Sequence, residues 1–83
     1  MNEFVINGNF EEELNNIKNK IMDINEITEV NIKFSVGNKT TIADVRKDFS
    51  KISELFSENT KIKLDFQVDD TMQGNQRIIK VIC

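Results

Sequence analysis

The sequence predicts an α+β fold, a two-layer α/β sandwich of order β-α-β-α-β-β with a mixed four-stranded sheet and two helices on one face. Two hydrophobic periods carry that reading. Phe10, Leu14, Ile17, Ile21 and Ile24, and later Ile42, Val45, Phe49, Ile52 and Phe56, recur at spacings of three and four, the stripe of an amphipathic helix. Val30, Ile32, Phe34 and Val36, and then Ile62, Leu64, Phe66 and Val68, alternate with polar residues, the period of a strand with one buried face.

Glu3-Phe4-Val5-Ile6 reads as a short strand, and Asn7-Gly8-Asn9 supplies turn-forming residues. Asn9 caps the first helix, with Glu12 at the third helical position to complete a capping box. Glu11 to Glu13 in its first turn and Lys18 and Lys20 toward its end suit the helix dipole. Residues 25–29 lead into the second strand, which ends at Gly37-Asn38. Thr41, with Asp44 three residues on, marks the start of the second helix, and Ser57 to Thr60 end it without a glycine. Its Phe49 stripe is expected to lie on the Phe66 face of the third strand, with Arg46, Lys47, Asp48 and Lys51 pointing elsewhere. Asp69 to Gln76, including Gly74, then turn the chain into a last strand, Arg77 to Cys83.

Helical crossovers join parallel strands and short turns join antiparallel ones. Strands one to three are therefore expected to run parallel, with strand four reversing against strand three as a hairpin. Both helices cover one face, leaving Asn31, Lys33, Ser35, Lys61, Lys63, Asp65 and Gln67 on the other. The last strand breaks the alternation, because Ile79, Val81 and Cys83 face one side and Ile78 and Ile82 the other.

Composition bounds the function. A chain of 83 residues makes one domain, and at this size about 60% of the unfolded chain's surface is buried, so dimerisation would add stability. Charged residues at 30%, hydrophobic ones at 39% and clear periodicity describe a folded domain rather than a disordered segment. The net charge of −3 argues against non-specific binding to nucleic acid or to an anionic membrane. No apolar run is long enough to span a bilayer, and MNEFVING lacks the character of a signal peptide. The single Cys83 permits no internal disulfide, which fits a reducing cytoplasm.

No catalytic constellation is legible, and neither a cofactor nor a metal is expected. The chain has no His, the commonest general base, and Cys83 reads as a packing residue. Asp65, Asp69 and Asp70 lack the spacing of a calcium loop, and turn chemistry explains the adjacent pair. Gly8 precedes a helix start, but Glu11 to Glu13 would repel an anion there. Lys33, Lys61 and Lys63, with Arg77 or Lys80, could make a basic stripe on the open sheet face, although charged alternation is the default of a solvated sheet face and reads first as that. An RNA-binding sheet would also need exposed aromatics, whereas Phe34 and Phe66 alternate onto the helix side. The candidate interface is Ile78, Lys80 and Ile82 with Lys61 and Lys63: apolar groups on an otherwise polar face, each gaining about 1.5–3 kcal/mol from full burial. A central fourth strand, or a different pleat, would instead make Ile78 and Ile82 core.

Two stretches carry a family resemblance. Glu29-Val30-Asn31-Ile32-Lys33-Phe34-Ser35-Val36-Gly37, followed by Thr41-Ile42-Ala43-Asp44-Val45, resembles the GVLVNITAG strand and TLEEV helix start of the C-terminal domain of the bacterial tubulin homologue FtsZ. Val68-Asp69-Asp70-Thr71-Met72, Gly74 and Lys80-Val81-Ile82-Cys83 resemble that family's acidic turn and closing TVIA strand, and the element order matches along the chain. The family's nucleotide-binding loop and GTPase domain have no counterpart here, so no residue inherits a catalytic role. The resemblance implies a free-standing, non-catalytic interaction module. Its partner would be a protein, either a second copy in a homodimer or a tubulin-like polymer, with no role for nucleic acid or membrane. The alternative is a small-molecule enzyme or ligand-binding protein with its site between subunits, by analogy with the small chorismate mutase fold, drawing on Arg46, Arg77 and Lys80.

Overall fold

The computed structural model describes residues 2–21 and 26–83, so the expected stripe position at Ile24 lies outside the described residues. The elements follow the expected order: β1 (Glu3–Ile6), α1 (Phe10–Lys20), β2 (Glu29–Val36), α2 (Ile42–Ser53), β3 (Lys61–Val68) and β4 (Arg77–Ile82). They build a four-stranded mixed sheet with both helices on one side.

The helix starts are local chemistry. Asn9 accepts a hydrogen bond from the Glu12 backbone N–H at 3.2 Å, but the reciprocal bond from the Asn9 N–H to Glu12 that would complete the expected capping box is not formed among the described residues; Glu13 instead accepts from the Asn7 N–H at 2.8 Å. At α2 the capping box is complete, with Asp44 N–H donating to Thr41 and Thr41 N–H donating to Asp44, each at 3.2 Å. The helix itself stops at Ser53, and a turn continues the stripe to Phe56, which is buried.

The sheet order is β1-β4-β2-β3. As expected, β2 and β3 run parallel, and β1 and β2 share a direction because each is antiparallel to β4. The expected hairpin between the last two strands is not formed. β4 lies in the slot that α1 leaves between β1 and β2, where it hydrogen-bonds on both edges instead of one. The segment after β3 reaches that slot by crossing the end of β2: Gly37 N–H donates to the Gln76 carbonyl at 2.8 Å and Lys39 N–H to Gly74 at 3.0 Å. A Cβ at Gly37 would collide with the Gly74 carbonyl, so glycine is needed there for contact rather than for φ.

This central position explains the two-sided apolar pattern of β4. Ile79 and Val81 are buried beneath the helices with Val30, Ile32, Phe34 and Val36, and Ile78 and Ile82 are half-buried on the open face. Ile6 from β1, Leu14 and Ile17 from α1, Val45 and Ile52 from α2 and Phe56 after it complete the core.

Candidate interaction surface

The two helices crowd toward the β1-β4-β2 side of the sheet, and β3 is left at the edge. Asp48 ties α2 to β4 in this placement. It is buried on α2, not turned outward as expected, and it accepts a hydrogen bond from the Arg77 Nε of β4 at 2.5 Å. Arg77 therefore points to the helix side and drops out of the expected basic stripe. Its Nη1 also donates to the Asn75 carbonyl at 3.3 Å. Lys51 of α2 pairs with Glu11 of α1 and lies 5.8 Å over the Phe10 ring, drawing the helices together.

As a consequence, the Phe49 stripe does not cover the Phe66 face. Ile42, which begins that stripe, is 69% exposed, and on β3 Leu64, Phe66 and Val68 are 47%, 48% and 55% exposed. These three point to the helix side, yet no helix lies over them among the described residues; only Ile62, at the start of the strand, is half-buried.

The backbone of β3 compounds the exposure. Lys61 N–H donates to the Thr28 carbonyl and Asp69 N–H to the Val36 carbonyl, both at 2.8 Å, so the odd-numbered residues turn their peptide groups toward β2. Ile62, Leu64, Phe66 and Val68 consequently aim their N–H and C=O groups away from the sheet. Among the described residues, one row supplies both unpaired backbone groups and uncovered apolar side chains. An edge of this kind is a template for strand pairing.

On the open face the candidate residues separate. Lys80 stands between Ile78 and Ile82 on β4, directly opposite Lys33 on β2, while Lys61 and Lys63 lie on β3. Glu29 answers Lys63 at 2.8 Å, and this hydrogen bond and charge hold the Glu29 carboxyl below, and the Lys63 amine above, their usual ranges. Asp65 lies beside Lys33 and Gln67 donates to Ser35 at 3.1 Å, so acidic and amide groups interrupt the basic stripe. Phe34 is buried under the helices, away from this face.

Asp69 accepts from the Thr71 N–H at 2.9 Å and from its hydroxyl at 2.5 Å, the turn chemistry expected of it, while no such bond involves the Asp70 side chain among the described residues. Cys83 is half-buried, and burial pushes its thiol up. Beside the Asp48–Arg77 pair lies an open cleft lined by Ile6, Gly8, Phe10 and Asn75. Arg77 is there, but Lys80 lies across the sheet, so Arg46, Arg77 and Lys80 do not form one cluster.

Sequence patterning missed the Asp48–Arg77 bridge and the exposed edge. The bridge had a signal: Asp48 lies three residues after Val45 and four before Ile52, on the buried stripe itself. The edge had none, because alternation in β3 shows which face is apolar and not whether a helix reaches it. Neither a protein-family model nor a curated protein matches the chain.

Proposed function

We propose that the chain is a non-catalytic protein-interaction module, akin to an FtsZ C-terminal domain, that self-associates or docks on a tubulin-like polymer. The supporting observation is β3: an eight-residue edge whose outward backbone groups coincide with Leu64, Phe66 and Val68, all about half exposed. A monomer with that edge open would be prone to strand addition, and a bound strand would satisfy it. The open sheet face, with Ile78 and Ile82 partly buried within it, offers less.

A cytoplasmic setting and a link to bacterial cell division belong to this proposal. No helix among the described residues is long and apolar enough to cross a membrane. Two measurements test the reading. The chain should co-sediment with GTP-assembled FtsZ filaments or alter their assembly, or it should show concentration-dependent mass in sedimentation velocity. A chain that stays monomeric at about 1 mM and neither binds nor perturbs filaments is not an interaction module of this kind.

A further inference from the structure

We propose that two copies of this chain pair through β3, antiparallel, about a two-fold axis at Leu64, joining their sheets into one. This rests on the interaction-module reading and names the partner and the register.

Three observations select that register. First, only even-numbered residues of β3 aim their peptide groups outward. Antiparallel hydrogen-bonded pairs must therefore match even residues with even ones, which also keeps the apolar faces of both copies on the same side. Axes falling between residues are excluded. Second, the charges of Lys61-Ile62-Lys63-Leu64-Asp65-Phe66-Gln67 discriminate among the rest. An axis at Lys63 sets that lysine against its own copy, and an axis at Asp65 does the same to the aspartate; like charges directly opposite are unfavourable. An axis at Leu64 sets Lys63 against Asp65 twice, and Lys61 against Gln67. These are non-hydrogen-bonded pairs, where side chains approach most closely. Third, overlap separates this arrangement from the nearest rival. An axis at Phe66 also avoids like charges, but it pairs only Leu64 to Val68 within the strand, whereas the Leu64 axis pairs Lys61 to Gln67. On the apolar side the chosen axis places Leu64 on Leu64 and Ile62 on Phe66, covering the row that no helix among the described residues of its own copy covers.

The test is the mass of the full chain against concentration, by sedimentation velocity, in a charge-reversal cycle. Lys63→Glu and Asp65→Lys should each weaken the dimer about tenfold or more, and the double variant should recover most of that loss. With the axis at Phe66, Asp65 faces Gln67 and Lys63 faces Asp69, so the double variant would not recover; that result overturns the register. A dimer indifferent to both changes overturns β3 as the interface, while leaving the chain a self-associating module. A wild-type monomer at about 1 mM overturns the dimer; the module reading then stands or falls on filament binding. Should the charge variants fold poorly, Leu64→Cys in a Cys83→Ser background is the independent check. Hydrogen-bonded antiparallel neighbours stand about 5.5 Å apart at Cα, within disulfide reach. Mild oxidation should give a covalent dimer from Leu64→Cys and little from Lys61→Cys, and equal yields count against the proposal.

Discussion

Asp48 and Arg77 form a partly buried ion pair at 2.5 Å between the middle of α2 and the start of β4, and this contact ties the second helix to the fourth strand. Asp48 keeps 7% of its side chain accessible and Arg77 keeps 26%. Removing one partner strands the other in a site built for a charge. Asp48→Ala should cost about 3 kcal/mol, the low end for a buried pair because Arg77 still meets water. Asp48→Leu with Arg77→Met should cost less than the sum of the single changes. Urea unfolding of the four proteins measures both numbers, and additive losses would mean the pair is not coupled.

The two phenylalanines on one register line should respond differently. Phe34 and Phe66 are paired across β2 and β3, yet Phe34 is 1% exposed and Phe66 is 48% exposed. Phe34→Ala should lose about 3–5 kcal/mol, and Phe66→Ala about 1 kcal/mol or less. The comparison must be made at concentrations where the chain is monomeric, since pairing would bury Phe66. Equal losses in the monomer would mean that a helix covers β3 after all.

Gly37→Ala tests the crossing behind β4. The added methyl must displace the Gly74 carbonyl and with it the loop hydrogen bonds to Gly37 and Lys39. A loss of about 1–3 kcal/mol is expected, as for other overpacked sites, whereas Gly74 has open space around a Cβ and only its φ of +58° to resist substitution. Thermal melts of Gly37→Ala and Gly74→Asn should therefore differ, with the asparagine variant the milder because it tolerates that φ.

Three exposed carboxylates make stability fall in acid. Asp44 is held below its usual range first by the Thr41 backbone N–H and then by the Thr41 side chain. Asp69 is lowered by the Thr71 hydroxyl and then its N–H, and Glu29 by Lys63. A folded-state pKa below the unfolded one gives stability that is full above the unfolded value, near 3.8 for the aspartates and 4.5 for Glu29, and is lost as pH falls through the folded value. Unfolding midpoints should thus hold from pH 7 to about 5 and decline below 4. Asp44→Asn should flatten part of that decline; an unchanged acid slope would show that the cap contributes nothing.

Much of the fold is legible in the sequence because it is local. Periods of 3.6 and 2 separate helices from strands, and Thr41 with Asp44 marks a helix start to the residue. Strand direction also follows, since helical crossovers force β1, β2 and β3 to run alike. Partner choice is not local. The eight residues from Asp69 to Gln76 suit a hairpin as well as a step across β2, and only the unfilled slot between β1 and β2 decides between them. The double-sided apolar character of β4 was the clue to a central strand. For the site, sequence placed Lys61 and Lys63 on the wet face, but the value of their strand depends on helix reach. An aspartate in the α2 stripe ties that helix to β4 rather than to β3.

The position of β4 also bears on how the chain folds. β1 and β2 are separated in the finished sheet by a strand made much later in the sequence, and neither β-α unit can complete its pairing until residues 77–82 arrive. Nearly every contact of β4 is therefore long-range, which places a large loop-closure cost ahead of the transition state and slows folding relative to a simple hairpin. Until that strand inserts, the edge of β2 facing the slot stays open, and at high chain concentration a strand from a second copy can compete with the chain's own for that slot.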